Sequence, residues 1–444
     1  MNTNRRFAIG LCMAAAASVA RADSWAPLAQ EWVGQQGDHL GSSVAVRTVL
    51  DGVRRITRVY VGSPDASVGA LAGAGKVDVY VPGDQGWWDY AATVTSPSPQ
   101  AGAHFGASIA YSSSHLVVGS PDYNDANGVG AGAGRVDFFY DSGATPVAIT
   151  SRGFVTSTGG NLGGAVAVDG NMAAAGKVNA GGGSGCVSGY HYDNATHAWH
   201  NLPAVGDIVC GTSGAALGAS VAIRQLDDTS YLLVAGAPGE SQGSSVLAGA
   251  AHVYFPNPNT TTGGLLEVGT LAADAPGAFD IFGTSVGIDD NFVYVGATGR
   301  DNGAGRVGSV TIFKPAQILG WDFLTELFPS APATVGGLCG ASLFVDPDYA
   351  QFIVGCPNST GTVAHEGTAR VYRQYEFLGQ PVWLDSVLSF GNQLHGGDDL
   401  GRSVAMSGDH AFVGAPNVNF PPPQTGNGGW KTFVQDLLFD DGFD

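Results

Sequence analysis

Charged residues are scarce in this chain, and positive charge is the scarcest. Asp, Glu, Lys and Arg make up 13% of the 444 residues, and 19 Lys and Arg stand against 38 Asp and Glu, for a net charge of −19. No basic cluster stands out against this acidic field, which disfavours a DNA- or RNA-binding role. Hydrophobic residues account for 44% of the chain, so it can bury a core and is not predicted to be disordered.

Long apolar runs are absent after the amino terminus. There, two arginines precede an apolar run over residues 7–20, and small residues offer cleavage sites after Ala20 or Ala22. This is the layout of a secretory signal peptide, with an apolar core too short for a permanent membrane anchor. We therefore expect residues 1–22 to be a cleaved signal peptide. The mature chain has no predicted transmembrane segment and is expected to be secreted, at the cell surface or periplasmic.

Cysteine is sparse as well. Of five cysteines, Cys12 falls in the apolar run, and four remain after cleavage: Cys186, Cys210, Cys339 and Cys356. An even number in an exported chain suggests disulfides, with three connectivities open. We expect the pairing that is local in sequence, Cys186 with Cys210 and Cys339 with Cys356. Zinc is the alternative, but no C-x-x-C spacing supports it.

Glycine, by contrast, is abundant, with 68 residues. At about 1 kcal/mol per site it disfavours long helices, and it has no three-residue period, which excludes collagen. Many glycines belong to a repeated string, Gly-x-Ser-Val-Ala or a close variant, usually preceded by an aromatic residue or Leu. Its seven copies begin at Gly41, Gly106, Gly163, Gly218, Gly283, Gly340 and Gly401. Six steps over 360 residues give a mean period of 60.

Three further strings follow each copy of the first. The second is a β-branched run ending in Gly-x-Pro, as at 59–64 and 117–121, and the third is Gly-basic-Val ending in an aromatic, as at 75–80. The fourth is short and often carries Trp, as at 383–385. Four strand-like runs in each of seven units predict an all-β fold, a seven-bladed β-propeller of four-stranded antiparallel blades. We expect Gly, Ser and Ala in the first string because inner strands converge on a crowded axis.

The two ends of the repeat region complement each other. After the last Gly-x-Pro at 414–416, a third strand is readable near 430–434 but no clear fourth. Residues 24–30, with Trp25, look like a fourth strand without the preceding three. We predict that this amino-terminal strand completes the last blade and closes the ring, which removes exposed sheet edges. A single propeller domain is expected over residues 23–434.

The pairing of Phe-Gly with Gly-Ala-Pro resembles the FG-GAP repeat of the seven-bladed propeller in integrin α-chains. Residues 105–106 with 119–121, and Gly401 with 414–416, are the best matches. The sequence is closer still to FG-GAP repeats in exported bacterial proteins. The resemblance covers residues 37 to about 434 and implies the propeller fold, but it says little about activity. The calcium loop of the integrin type is replaced by short hairpins such as 168–172.

Candidate ligand-binding residues are few. Asp122, Asn124, Asp125 and Asn127, in a loop after Gly-x-Pro, are the best cation or sugar candidate, with a turn-forming loop as the plainer interpretation. No complete set of alternating oxygen ligands supports calcium, and no cofactor is expected. His191, His197 and His200 lie close in sequence, as the imidazoles of a metal site would. The repeat places His191 on the third strand and His200 near the fourth, across a hairpin, so we expect surface histidines instead.

Catalytic residues are not predicted. No G-x-S-x-G string occurs, the repeated serines belong to packed strands, and the acidic residues are spread over every repeat. We expect a monomeric, non-enzymatic module that binds an extracellular protein or glycan, in adhesion for example. The alternatives are a secreted polysaccharide hydrolase or lyase and a multivalent lectin on the same scaffold. Trp87 and Trp88 would stack on a sugar in a lectin, but the repeat register favours packing.

The last ten residues fall outside the repeat. Residues 435–444 form a short acidic-aromatic carboxyl-terminal tail, like tails on exported bacterial proteins. A sorting or docking role is one hypothesis for it, and a disordered end is the other.

Overall fold

The computed structural model describes most of the repeat region. The described residues are 25–28, 32–51, 54–83, 87–124, 132–144, 147–157, 159–202, 208–226, 231–257, 264–317, 320–330, 333–346, 348–361, 363–389, 397–419 and 426–435. The expected signal peptide over 1–22 and nearly all of the tail over 435–444 lie outside them. In the described part of the chain, no helix is long and apolar enough to cross a membrane.

The described residues form thirty strands and one short 3₁₀-helix, Ala180–Gly182. Two short strands come first: β1 (Trp25–Pro27) and β2 (Trp32–Val33). Blade 1 contains β3 (Ser43–Asp51), β4 (Arg54–Ser63), β5 (Lys76–Pro82) and β6 (Trp88–Val94). Blade 2 contains β7 (Ser108–Ser112), β8 (His115–Ser120), β9 (Arg135–Asp141) and β10 (Ile149–Thr156). Blade 3 contains β11 (Leu162–Asp169), β12 (Met172–Lys177), β13 (Cys186–Asp193), β14 (Ala198–Asn201) and β15 (Ile208–Cys210).

Four further blades follow in the same order. Blade 4 contains β16 (Ser220–Gln225), β17 (Tyr231–Ala237), β18 (Ala250–Asn257) and β19 (Gly264–Leu271). Blade 5 contains β20 (Phe282–Ile288), β21 (Val293–Ala297), β22 (Ser309–Pro315) and β23 (Trp321–Leu327). Blade 6 contains β24 (Ser342–Asp346), β25 (Gln351–Cys356), β26 (Thr368–Phe377) and β27 (Gln380–Leu388). Blade 7 contains β28 (Ser403–Ser407), β29 (His410–Ala415) and β30 (Gly429–Gln435).

The seven sheets confirm the predicted propeller. Each is antiparallel, with its strands paired in chain order from the innermost strand outward. Blade 7 takes its fourth strand from the other end of the described chain, because β1 pairs with β30 in the register Trp25↔Gln435 and Pro27↔Phe433. The predicted ring closure is therefore confirmed. The strand β2 also pairs with β30, through Trp32↔Trp430, which the sequence did not indicate.

The small residues of the first string serve a junction between blades, not a crowded axis. The hydroxyl of Ser43 donates to the carbonyl of Gly106 in the next blade at 2.6 Å, and Ser108 does the same to Gly163 at 2.8 Å. A Cβ on Gly62 would lie 2.1 Å from that Gly106 oxygen. The axis itself has room. Branched residues line a central cavity of about 260 Å³.

Four more serines make the same inter-blade bond at the remaining junctions, except the one that blade 3 makes with blade 4. These bonds are Ser220 to Gly283, Ser285 to Gly340, Ser342 to Gly401 and Ser403 to Gly41. Blade 3 has Ala165 at the serine position. The repeated Gly of Gly-x-Pro meets the same carbonyl in all seven blades, and a Cβ on Gly176 would lie 1.8 Å from the Gly218 oxygen.

Aromatic side chains of the outer strands fill the space between neighbouring blades. Trp88 of blade 1 is buried and lies edge-on to Phe412 of blade 7, with ring centroids 5.0 Å apart. Phe138 of blade 2 stacks on Trp199 of blade 3 at 4.8 Å. Trp88 therefore packs as expected for a fourth-strand residue, whereas its neighbour Trp87 is exposed.

Both expected disulfides are present. Cys186 is joined to Cys210, which lies directly opposite it where β15 pairs with β13. Cys339 is joined to Cys356, at the end of β25. The first bridge fastens the extra strand β15 to blade 3, whose regular outer strand β14 is short. The second holds the entry to blade 6 against the second strand of that blade.

Candidate functional site

The topology separates the connections of the propeller onto two faces. Because the strands are antiparallel, the links from second to third strand emerge at the same end as the links that enter the next blade. We call this end the loop face; it includes residues 64–75 and 95–107 in blade 1. The opposite end, the hairpin face, carries the tight turns such as 169–172. As predicted, the segments after Gly-x-Pro share one face, where loops vary without disturbing the blades.

Polar side chains form a continuous chain of contacts on the loop face of blades 1 to 3. We call this set the polar arc: His39, Asp65, His104, Asp122, Asn161 and Asn179. The carboxylate of Asp65 lies 2.6 Å from His39 Nδ1 and 3.1 Å from His104 Nε2. The carboxylate of Asp122 lies 2.7 Å from His104 Nδ1 and accepts from the Asn161 amide at 2.8 Å. Each contact joins an entry link to a loop after Gly-x-Pro.

The candidate cation loop is only partly described, since Asp125 and Asn127 lie outside the described residues. Asp122 belongs to the polar arc. The Asn124 side-chain oxygen accepts from Gly132 N at 2.9 Å, and its backbone N donates to Gln100 at 2.6 Å. Asn124 thus stabilises the loop itself, and Asp122 joins the loop to the entry links that carry His104 and Asn161. No group of three His, Cys, Asp or Glu side chains able to hold a metal occurs among the described residues; the four-residue site stays a prediction.

The three neighbouring histidines do not converge on one point. His191 and His200 face each other across β13 and β14, and His197 lies in the turn between these strands, 3.3 Å from the Tyr192 hydroxyl. Burial lowers the pKa of His191, with a smaller contribution from His200 in the same direction. The His191–His200 pair lies across a hairpin, as the repeat register predicted.

A Glu–His–Glu cluster lies in blade 4. His252 Nε2 lies 2.9 Å from Glu240, and its Nδ1 lies 3.0 Å from Glu267. Burial alone would lower the pKa of His252, but the two carboxylates together raise it. Both ring nitrogens are occupied, so neither is free to take a proton from a substrate. The two carboxylates thus hold the imidazole of His252 in place.

Exposed apolar side chains concentrate on the loop face of blades 4 to 6. We call this set the apolar sector: Val246, Leu247, Phe279, Val335 and Leu338, each at least 39% exposed. Phe279 N donates to the carbonyl of Val246 at 2.9 Å, which joins two links of neighbouring blades. The link that carries Val335 is bonded to the loop of blade 5, where the carbonyl of Arg306 accepts from Gly336 N. The sector therefore spans three blades.

Much of the apolar sector stands on left-handed backbone. The residue two places before the repeated Gly has positive φ in all seven units: His39, His104, Asn161, Ala216, Ile281, Leu338 and Asp399. Most of these types tolerate that conformation or are small, but Ile281 and Leu338 are bulky. Leu247 and Phe279 also have positive φ, at 51° and 63°. Strained residues of this kind tend to mark functional sites.

Arg306 lies among these apolar residues. Its guanidinium donates to the carbonyls of Phe279, Gly299 and Ala278 at 2.7, 2.8 and 2.7 Å. It forms no ion pair with any carboxylate in the described parts of the chain. The apolar sector therefore holds an exposed positive charge that carbonyl groups position but do not neutralise.

The apolar sector was not predicted from the sequence. The sequence feature that indicates the sector is the residue two places before each repeated Gly. Ile281 and Leu338 occupy this position where the polar units have His, Asn or Asp. The partners Val246 and Leu247 lie in a link of different length, so no repeat comparison connects them to Phe279.

Comparisons with known proteins do not indicate a function for the chain. No model of a known protein family matches the chain, and no curated protein matches it. Among solved structures, the crystal structure of Saccharomyces cerevisiae Sqt1 is similar, with 11% sequence identity over 87% of this chain and 82% of that chain and a TM-score of 0.46. At this distance, the function of the chain has to be argued from its own surface.

Proposed function

We propose that this chain is a non-enzymatic binding module whose ligand is a protein that docks on the loop face. The observation that carries the proposal is the apolar sector of blades 4 to 6. Soluble monomers seldom expose clustered large apolar side chains unless the cluster binds something. Two of these bulky side chains also stand at positions with left-handed backbone, a conformation that bulky residues disfavour. Leu338 has a φ of 57° and Phe279 a φ of 63°.

The surroundings of the sector match the anatomy of a protein interface. Such interfaces have an apolar centre and a polar rim, and the polar arc occupies the adjoining blades of the same face. Arg306 adds an exposed cation without a carboxylate partner among the described residues. The complementary surface on a ligand would combine apolar side chains with an acidic group. Arginine is enriched where binding energy concentrates.

The asymmetry of the face distinguishes this proposal from a multivalent lectin. A lectin with one site per blade needs the same side chains at equivalent places. The place two before the repeated Gly instead carries His39 and His104 in the first units but Ile281 and Leu338 in later ones. One extended site for one partner fits this pattern better than repeated small sites.

We also propose that the chain belongs with the exported FG-GAP repeat propellers and acts outside the cell or at its surface. The repeated Phe-Gly and Gly-x-Pro strings and the basic-apolar amino terminus support this. The disulfides support it too, because such bonds persist in oxidising compartments.

The experiment compares two matched leucine variants. Leu338→Asn alters the apolar sector, and Leu378→Asn alters a leucine that is also exposed and also has positive φ, 51°, in the hairpin between β26 and β27. Extracellular proteins retained by the immobilised wild-type chain are identified, and the affinity of one purified partner is then measured for each variant. We expect Leu338→Asn to weaken binding about tenfold or more and Leu378→Asn to leave it unchanged.

Two results would overturn the proposal. Equal affinity of wild type and Leu338→Asn, repeated with Phe279→Ser, would remove the apolar sector from binding. Turnover of any polysaccharide by the purified protein would contradict a non-enzymatic role. The thermal midpoint of each variant is measured alongside, so that loss of fold is not counted as loss of binding.

A further inference from the structure

A second concave site lies on the other end of the propeller, between blades 2 and 3. The cavity measures about 390 Å³ and opens among the tight turns of the hairpin face. Blade 2 lines it with His115, Tyr140 and Arg152, and blade 3 lines it with Asn171, Tyr192 and His197. Small-molecule sites usually run from about 300 to 1,000 Å³. It is separate from the apolar sector, so a ligand bound here would be additional to the protein partner of the proposed function.

Arg152 enters this cavity from a β-bulge. In the pairing of β10 with β9, Ser151 faces Phe139 and Phe154 faces Asp137, which leaves Arg152 and Gly153 outside the regular ladder. Gly153 has a φ of +107°. Bulges re-aim side chains next to functional sites. The guanidinium carbon of Arg152 lies 5.1 Å from the centre of the Tyr140 ring.

Other blades have an apolar residue at the same bulge. The skipped residue is Ala91 in blade 1, Val268 in blade 4 and Leu324 in blade 5. Val268 and Leu324 pack against the hydrophobic clusters of their blades. Packing at this place therefore does not require a charge. Arg152 is a departure that the repeat does not explain.

No carboxylate in the described part of the chain neutralises the charge of Arg152. Its Nε is buried without a hydrogen-bond partner, and the guanidinium forms no ion pair among the described residues. A buried donor without a partner costs about 1–3 kcal/mol. The guanidinium of Arg152 could therefore form an ion pair with a carboxylate supplied by a ligand.

His115 supplies a second unpartnered polar atom in the same cavity. The side chain is 7% exposed, and its Nδ1 has no hydrogen-bond partner. Its ring lies 4.4 Å from the Tyr192 ring and 5.2 Å from that of Trp199, centre to centre. Burial, and to a smaller extent the charge of Arg152, lower the pKa of His115 to about 4. The imidazole is therefore neutral at neutral pH and able to exchange a hydrogen bond with a hydroxyl.

We propose that this cavity binds a carboxylated sugar, a uronic acid residue, with its carboxylate on Arg152. Arginine pairs with carboxylates through two parallel hydrogen bonds. The ring of Tyr140 lies in the cavity lining beside Arg152 and offers an apolar surface on which a sugar ring packs. His115 and Asn171 line the same cavity and are the polar side chains offered to its hydroxyls. An aromatic acid would satisfy the charge and the apolar surface but would leave these polar groups without partners.

The test is calorimetric titration of the full mature chain with glucuronate and galacturonate. Two probes separate the parts of the proposal, because glucose lacks the carboxylate and benzoate lacks the hydroxyls. We expect a uronate to bind, with glucose and benzoate at least about tenfold weaker. We expect Arg152→Gln to weaken uronate binding about tenfold or more. Arg402→Gln, which alters an exposed arginine on the loop face, is expected to have no effect.

An independent readout is the imidazole of His115. Uronate should shift its ring resonances in the wild type, and His115→Phe, which keeps the aromatic packing, should weaken binding. Equal uronate affinity in wild type and Arg152→Gln would overturn the proposal, as would no heat with either uronate at tens of millimolar. Benzoate binding as tightly as the uronates would overturn the sugar assignment. Binding of a protein partner at the apolar sector is unaffected by any of these results.

Discussion

The hydroxyl of Ser403 donates a hydrogen bond to the carbonyl of Gly41 at 2.8 Å, across a sequence separation of 362 residues. The bond is one of six equivalent ones, and it joins the last blade to the first. The same Gly41 oxygen would lie 2.1 Å from a Cβ on Gly414. One carbonyl thus requires both a hydroxyl at one repeat position and no side chain at another. This explains why the two strings recur together.

The closure bond leads to a prediction for two single substitutions. Ser403→Ala removes the hydroxyl and should lower the free energy of unfolding by about 1 kcal/mol. Gly414→Ala forces a methyl group against backbone and should cost roughly 3 kcal/mol or more, because neither strand can move without opening the ring. Urea denaturation measures both. Equal effects would show that the junction yields to a side chain and that its close contact is not needed.

Ala165 allows the converse substitution. It occupies the place of the serine in blade 3, beside Gly176 and the Gly218 carbonyl. Ala165→Ser should supply the seventh inter-blade bond and raise the free energy of unfolding by about 0.5–1 kcal/mol. The thermal midpoint of the variant, compared with that of Ala165→Val, measures the effect. A midpoint below that of the wild type would mean that the hydroxyl does not reach the carbonyl.

The fold followed from the sequence because its physical requirements repeat. Seven junctions need the same small residues, so the pattern is visible without any relative, and Trp25 stands out as a strand without a blade. The strands β2 and β15 were not predictable in this way. They occur once each, and β15 is identified only by Cys210 lying opposite Cys186. The crowded axis expected as the cause of the small residues was wrong, since a crowded axis and a crowded junction leave the same signature.

The binding surfaces were not predictable because they depend on departures from the repeat. Phe279 and Val246 meet through a backbone bond between links of different blades, and neither link has a recurring length. Arg152 lies at a bulge that blades 1, 4 and 5 share, so the departure is the arginine side chain, and the bulge itself has no sequence signal. Such features become visible when blades are superposed in space and their differences compared.

A buried ion pair between blades 1 and 2 gives a third prediction. Arg58 and Asp141 are 2% and 0% exposed, the guanidinium lies 2.6 Å from the carboxylate, and Tyr60 also donates to it. Asp141→Asn leaves the arginine charge buried and should cost about 3–5 kcal/mol. Chemical denaturation measures the loss, and Glu376→Gln, on the exposed end of β26, is the control.

The double variant Arg58→Met with Asp141→Leu separates charge from packing. It removes both charges and should restore much of the stability that Asp141→Asn loses. A double variant as unstable as the single one would show that the shape of the pair matters more than its charge.

The two disulfides make the fourth prediction. They close loops of 24 and 17 residues, for which the loss of chain entropy in the unfolded state corresponds to about 3 kcal/mol each. Replacing Cys186 and Cys210 by Ala should in addition release β15, so that its amides exchange hydrogen faster. Replacing Cys339 and Cys356 should leave β15 protected. Faster exchange at β15 in both variants would contradict a local role for the first bridge.

The last prediction concerns pH and depends on His115. Burial lowers its pKa in the folded protein to about 4, whereas an unfolded histidine titrates near 6.5. Above pH 6.5 both states are neutral and His115 contributes nothing to the pH dependence. As the pH falls from about 6.5 to 4, the unfolded state takes up the proton first, so stability should fall by up to about 3 kcal/mol.

His115→Phe keeps the ring among Tyr192 and Trp199 and cannot be protonated, so the variant should gain stability relative to the wild type as the pH falls. His252, whose carboxylate partners raise its pKa, contributes in the opposite sense, but it is common to both proteins and cancels in the difference. Urea denaturation of both at pH 7 and pH 4.5 measures this difference, and a difference independent of pH would show that His115 is not buried as a neutral ring.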